Sequence, residues 1–327
     1  MGLKNMIKKV CVVGGGNWGK NHVKTLHELN SLGGVVDKDR NLLENYKKKY
    51  PYVDTFDDLD KAISASFDGY IVATPAPTHF KIAEKIIKSK NHLLVEKPIT
   101  TNLNDAIELN RLAKEYNVNL MVGHVLLFHP AFLKIKEILD LGKLGDIQYI
   151  YSNRLNLGKI RTNENVFLSF APHDIALFQF FTNSIPIKII STGKDFLQEG
   201  IHDTTLSIFE YENNIMGHIF VSWLHPFKEH RFIIVGTKGM ISFEDSRPDK
   251  PLTLYDKNID WGEGIPKPND GSSIKINYEK SMPLENELKY FIKHLDGKPI
   301  VLANGDSAVD VIKILENVSK RLTNSGD

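Results

Sequence analysis

The sequence predicts an α/β protein: an N-terminal doubly wound parallel sheet, then a C-terminal α+β domain with a large, mostly antiparallel open sheet. Three observations carry the prediction. From Lys8 to about Gly123 short apolar runs alternate with helical patterns; after Gly123 strand-like runs follow one another with few helices between; and 327 residues amount to roughly two domains. The division falls at 123/124, with residues 1–123 as the first domain and 124–327 as the second.

In the first domain "KKVCVVG", "LGGVVD", "FDGYIVATP", "NHLLVEKP" and "VNLMVGH" read as strands. Parallel strands covered on both faces appear as such near-continuous Val, Ile and Leu runs. Between them "NWGKNHVKTLHEL", "RNLLENYKKKY", "HFKIAEKIIKS" and "NLNDAIELNRLAKEYN" carry the 3.6-residue period of amphipathic helices. The second domain opens with the helix "PAFLKIKEILD". The runs "DIQYIYSNRLN", "DTTLSIFEY", "IMGHIFVSWL" and "RFIIVGTKGMISFE" follow, several joined by turn residues such as "ENN" and "TKG". Strands linked without crossover helices imply antiparallel pairing. "DKNIDWGEGIPKPNDGSS" reads as a mobile loop, and the helices "LENELKYFIKHL" and "DSAVDVIKILENVSKRL" end the chain.

Composition narrows the class of function. Lys plus Arg number 41 against 40 Asp plus Glu, so no field for nucleic acid or anionic membrane is implied. The single cysteine, Cys11, sits inside an apolar run, which excludes an internal disulfide framework and fits a reducing cytoplasm. No apolar run approaches the ~20 residues of a membrane span, and the N-terminal apolar stretch is too short for a signal peptide. Gly2 follows Met1, but Met6 stands where a myristoylation motif requires Ser or Thr. A cytoplasmic protein with a small-molecule substrate is expected.

"VVGGGNWG" sets Gly14, Gly16 and Gly19 in the spacing G-x-G-x-x-G, with Asn17 and Trp18 in the turn. Chance alone gives this spacing in a chain of this size roughly one time in ten, so context must strengthen it. The motif ends the first strand, opens a helix, and precedes Asp37 at the end of the second strand. Gly14 permits the tight turn, Gly16 admits a pyrophosphate to the backbone, and Gly19 lets helix and strand pack closely. Asp37 suits ribose hydroxyls and repels a 2′-phosphate, so the cofactor expected is NAD; Lys38 and Arg40 soften that preference. Thr74, Pro75 and His79 end the next inner strand, and carboxyl ends of strands face the crevice of such a sheet. His79 is read both as a cofactor neighbour and as a residue that caps or packs beside the following helix.

Glu96 and Lys97 end "LLVEKP". A lysine there stands either in the crevice or on the surface, and spacing leaves both open. In "FLSFAPHDIALF", His173 and Asp174 follow a proline in apolar surroundings, the ordinary setting of a structural histidine. His124 and His129 flank "VLLF" at the domain junction without zinc-ligand spacing, so no metal is expected. Glu285 and Glu287 sit at a helix start, where acids suit the dipole, and receive no catalytic role. Trp223 and His225 in "SWLHP" read as sheet packing and dimer surface.

Together "VVGGGNWG", "VEKP", "VGHVLLFHPAF", "GKLGDIQYI", "SFAPHD", "SWLHPFK", "VGTKGMISFED" and "PLENELKYFI" resemble the Gfo/Idh/MocA family of NAD(P)-dependent sugar oxidoreductases, over nearly the whole chain. The resemblance implies a Rossmann domain and a second domain whose open sheet mediates homodimers or homotetramers. It implies that Lys97 contacts the reacting hydroxyl and His173 is the acid or base; Asp174 beside it is a candidate to orient the ring and to line the substrate site. Lys97–Pro98 is expected to be cis. One departure is Ser169, which stands where the common family pattern has a sugar-binding aspartate. That shifts the expected substrate from a free polyol to a nucleotide sugar. Arg154, Asn156, Lys159 and Arg161, concentrated before His173, suit a diphosphate and sugar hydroxyls, because guanidinium groups bind phosphate bidentately; the alternative is a solvated strand end and loop. Phe128 is a further candidate to line the site. "NRLNLGKIRTNENV" also resembles a subgroup associated with acetamido-sugar biosynthesis, which implies NAD-dependent oxidation of C3 of UDP-N-acetylglucosaminuronate. The alternatives are a dehydrogenase of a free sugar or cyclitol and a non-catalytic NAD-binding regulator.

Overall fold

The computed structural model describes residues 7–324, so Gly2 and Met6 lie outside the described residues. Two compact units emerge: residues up to Phe128 with Met282–Ile312, and His129–Ser281 with the chain from Lys313 on.

The first unit alternates β1 (Val10–Val13), α1 (Gly19–Glu28), β2 (Leu32–Val36), α2 (Arg40–Lys49), β3 (Asp54–Phe56), α3 (Leu59–Ser64), β4 (Gly69–Val72), α4 (His79–Lys88), β5 (His92–Val95), α5 (Leu103–Glu115) and β6 (Leu120–Val122). The six strands form one sheet in the order β3-β2-β1-β4-β5-β6, every pair parallel. All residues of β1 and β4 are buried, as expected of strands covered on both faces. Each apolar side chain so buried contributes about 1.5–3 kcal/mol. Side-chain caps start the helices where the sequence allows: Asp39 accepts from the Asn41 and Leu42 amides at α2, and Asn102 from the Asp105 amide at α5. The strand order turns back between β1 and β4, which opens a crevice at their carboxyl ends.

The second unit runs α6 (Pro130–Asp140), β7 (Ile147–Leu155), α7 (Val166–Phe170), α8 (Pro172–Thr182), β8 (Lys188–Lys194), β9 (Thr204–Glu210), β10 (Met216–Ser222), β11 (Glu229–Gly236), β12 (Met240–Glu244), β13 (Leu252–Tyr255), β14 (Asn258–Asp260), β15 (Lys267–Asn269) and β16 (Ser273–Lys275). Eight of these strands form a sheet in the order β16-β13-β12-β11-β7-β10-β9-β8, antiparallel except for β7 with β10. One face packs on α6 and α8 through a cluster of rings: Phe132 lies edge-on to Phe232 at 5.2 Å, and Phe178 at 5.8 Å. Trp223 is fully buried and its Nε1 donates to Asp203 Oδ1. The other face holds Tyr149, Tyr151, His218 and Ile233, half-buried, and the exposed Ile190 and Met216. The segment read as a loop contains an exposed hairpin, β14 with β15.

The chain then forms α9 (Pro283–Lys293) and α10 (Gly305–Asn324). The sequence places all of residues 124–327 in one domain; the structure instead returns residues 282–312 to the first unit. The cause is packing. A Cβ on Gly69 would lie 2.6 Å from Leu295 Cδ2 and 3.2 Å from Phe291 Cζ, so β4 has been left bare to receive this C-terminal segment. The Val122 amide also donates to the Ala303 carbonyl, and Asn110 to Asp306 Oδ1. Among the described residues no helix is long and apolar enough to cross a membrane.

Candidate functional site

The glycine turn after β1 has the geometry its residues imply. Gly14 takes φ +93°, a left-handed conformation, and a Cβ there would meet Thr74 Cγ2 at 2.8 Å. A Cβ on Gly19 would lie 1.8 Å from the Gly14 carbonyl oxygen, so α1 can approach the turn only through glycine. A Cβ on Gly16 would meet nothing within 4 Å, which is the open space a pyrophosphate requires. Asn17 and Trp18 are exposed in the turn, and no side chain caps α1, the helix end that suits an anion; the Lys20 and Asn21 amides donate back to the Gly16 and Trp18 carbonyls. Asp37 accepts from the Gly15 amide at 2.8 Å and from the Asp39 amide at 3.0 Å, which anchors the carboxylate at the end of β2. The residues present fit a dinucleotide.

After β4, Thr74 is half-buried and Pro75 exposed. His79, by contrast, is 1% exposed. Its Nδ1 bonds the Pro98 carbonyl at 2.9 Å and its Nε2 the Thr74 carbonyl at 2.8 Å. The expectation of a cofactor contact at His79 is therefore corrected: burial and two backbone partners make it the tie between the loops after β4 and β5. Lys97–Pro98 is cis. Glu96 collects donors: Trp18 Nε1, His22 Nε2 at 2.6 Å, and the Lys97 amide at 3.1 Å.

In the second unit, Arg154 reaches across from β7 to α8. Its Nε and Nη2 both donate to Asp174 at 2.8 Å, and Ser152 Oγ donates to the same carboxylate at 2.7 Å. Burial opposes charge on Arg154, yet the Asp174 carboxylate beside it keeps its pKa above the ordinary arginine value. Asp174 is fully buried. Both Asp174 oxygens are thus engaged inside the fold, and Arg154, expected at a ligand anion, is committed to this internal pair. His173 and Ser169 are half-buried, on α8 and α7. Asn156 is half-buried just past β7, and Lys159 and Arg161 are exposed on the segment that follows, with Arg161 3.7 Å from Glu164. Phe128, expected to line the site, is 3% exposed and packs on Tyr290 in the first unit, because the Val125–Phe128 turn lies under α9. His129 caps α6, accepting from the Ala131 amide at 3.1 Å. Among the described residues no group of three or more His, Cys, Asp or Glu is arranged to hold a metal ion.

Sequence reasoning missed three residues around Glu96. His22 is fully buried on α1 and binds it. Gly123 follows β6, where a Cβ would lie 2.9 Å from Glu96 Oε2, so the carboxylate occupies the space of an absent side chain. Glu287 on α9 is fully buried. Its signal was present: position 287 falls on the apolar stripe of Leu284, Leu288 and Phe291, where a solvated acid does not belong. Nearby, burial and then the Lys97 charge push His124 down to about 4, despite Glu96, so it is neutral at pH 7.

Residues 8–124 match the oxidoreductase family with an NAD-binding Rossmann fold, and residues 132–242 the Gfo/Idh/MocA C-terminal domain. UDP-N-acetylglucosamine 3-dehydrogenase of Acidithiobacillus ferrooxidans is 28% identical over 188 residues, 56% of either chain. Its solved structure superposes with a TM-score of 0.84 over 97% of both chains at 22% identity. Myo-inositol 2-dehydrogenase of Thermotoga maritima is 23% identical over 93% of both chains. The WlbA dehydrogenase of Bordetella pertussis, solved with NADH and UDP-GlcNAcA, superposes with a TM-score of 0.77 over 97% of both chains at 17% identity. With the glycine turn, the anchored Asp37 and the Glu96–Lys97 strand end already in place, these matches over both units establish that the chain belongs to the Gfo/Idh/MocA family and is an NAD-dependent oxidoreductase of the sugar-dehydrogenase type.

Proposed function

We propose that the protein oxidises the C3 hydroxyl of a UDP-linked N-acetylated sugar, with UDP-N-acetyl-D-glucosaminuronate as the expected substrate and the 3-keto sugar as product. The observation that carries this reading is Ser169, which replaces the family's usual aspartate while His173 is kept. A hydroxyl there cannot supply the charged acceptor that a free polyol uses, so recognition shifts to the nucleotide. The names of the Acidithiobacillus and Bordetella proteins support it. Bound NAD supplies the two-electron acceptor. Gly14, Gly16 and Gly19 hold its pyrophosphate, Asp37 its ribose, and Thr74, Pro75 and Glu96 its nicotinamide end. Lys97 Nζ hydrogen-bonds the reacting hydroxyl and stabilises the alkoxide, and a His173 ring nitrogen takes the proton. With Arg154 committed to Asp174, the diphosphate falls to Lys159 and Arg161, with Asn156 on the sugar.

Mass spectrometry of ligands retained through purification tests the reading: NAD(H) with a UDP-sugar is expected. A second reading, oxidation of a free cyclitol, is favoured by the end-to-end match with the Thermotoga enzyme. Turnover of myo-inositol without turnover of any UDP-sugar would establish it instead. The same family reading assigns the half-buried face of the eight-stranded sheet to a second copy of the chain, and light scattering is expected to give a dimer or tetramer.

A further inference from the structure

Glu287 is the one carboxylate of the first unit that α9 carries wholly into the interior. Both its oxygens are buried and neither receives a hydrogen bond from a donor among the described residues. Helix α9 packs against α1 and the Val125–Phe128 turn. Of the titratable groups on α1 (Lys20, His22, Lys24, His27 and Glu28), His22 is the buried one, and it meets Glu96, which follows β5. Nδ1 of His22 is likewise buried and makes no hydrogen bond among the described residues. Glu96 is the group whose charge acts on Glu287.

We propose that Glu287 is a positioning residue of the cofactor site: its carboxyl shares one proton with Glu96 and so holds the Glu96 carboxylate in the orientation that accepts from Trp18, His22 and the Lys97 amide. The proposal rests on the assignment of Glu96 to the nicotinamide end of that site. The physical reason is that two interacting carboxyls in a buried setting cannot both ionise, so one proton belongs to the pair. Burial, and then the Glu96 charge, push Glu287 well above the ordinary carboxylate range. Fully buried and receiving no hydrogen bond, it is the protonated member of the pair, with a hydroxyl to donate. The Glu96 carboxylate already accepts from Trp18 and His22. The missing Cβ of Gly123 leaves room for this carboxylate, and Glu287 limits how it can turn within that room. As pH rises through the Glu287 pKa a second charge appears beside Glu96, and the orientation is lost.

Two measurements on the full-length protein test this. Infrared difference spectra between the native protein and Glu287→Gln should show the carbonyl band of a protonated carboxyl that only the native protein has; absence of that band overturns the proposal whatever Glu96 does. NAD titrations followed by protein fluorescence need no substrate. Glu287→Ala, with its fold checked by circular dichroism, should weaken NAD about tenfold, and Glu287→Gln, which keeps a neutral donor, should restore affinity at pH 7 to within about twofold. The alkaline loss of NAD affinity in the native protein should disappear in Glu287→Gln, which a merely structural glutamate would not cause. In a Glu96→Gln background, Glu287→Ala should add little further loss. Additive losses, or an unchanged alkaline limb, overturn the proposal. If Glu96→Gln alone leaves NAD affinity intact, the placement of Glu96 at the cofactor fails, and the infrared band alone decides whether the shared proton stands.

Discussion

Among single residues, Arg154 and Asp174 show how strongly a buried charge depends on its partner. Arg154→Ala leaves the Asp174 carboxylate with Ser152 as its remaining partner in a fully buried position, and is expected to cost about 3–5 kcal/mol, read from the urea midpoint. Lys97→Ala should act on rate instead, lowering kcat by about 100-fold or more while NAD affinity stays near the native value; full activity would remove Lys97 from the chemistry. The difference shows what a sequence can convey about single residues. The glycine turn was legible because each glycine is forced by its own backbone: a positive φ at Gly14, a 1.8 Å approach at Gly19. Arg154 was not, because a guanidinium reads the same whether it meets a phosphate or a carboxylate 20 residues away. Glu287 was hidden by its place in the first two turns of a helix, where an acid has an ordinary explanation in the dipole.

For the elements, helix starts govern how the fold meets acid. His129 caps α6 as an acceptor, and burial, opposed by Asp245 and aided less strongly by Lys250, sets its pKa down to about 4. His124 is lowered to about 4 as well. A histidine whose folded pKa lies below its unfolded value of about 6.5 gives stability that is complete above that value. As pH falls the unfolded chain takes up protons first, so stability declines from about 6.5 toward 4. Thermal melts are expected to follow that slope, and His129→Asn, which keeps a cap acceptor without a titrating ring, should flatten part of it while changing stability at pH 7 little. The alternation of strand and helix in the first unit was legible except for the short β3 and α3, since elsewhere period and burial coincide. The short hairpin β14–β15 was not, because its strands expose nearly every residue and carry no apolar period.

Taken as a whole molecule, the chain is not divided where its patterning changes. The boundary near residue 123 was visible in texture, but the return of residues 282–312 was not. Nothing local in "PLENELKYF" says which sheet its apolar stripe will cover; only the bare position at Gly69, more than 200 residues earlier, completes the fit. A fragment ending at residue 128 is accordingly expected to be poorly soluble and to bind NAD weakly or not at all, as measured by calorimetry, although it contains every strand of the parallel sheet. This return has a consequence in time. During synthesis the parallel sheet emerges first, but the unit around it remains incomplete until about the last seventh of the chain has left the ribosome, so the first unit to be translated is among the last to be finished.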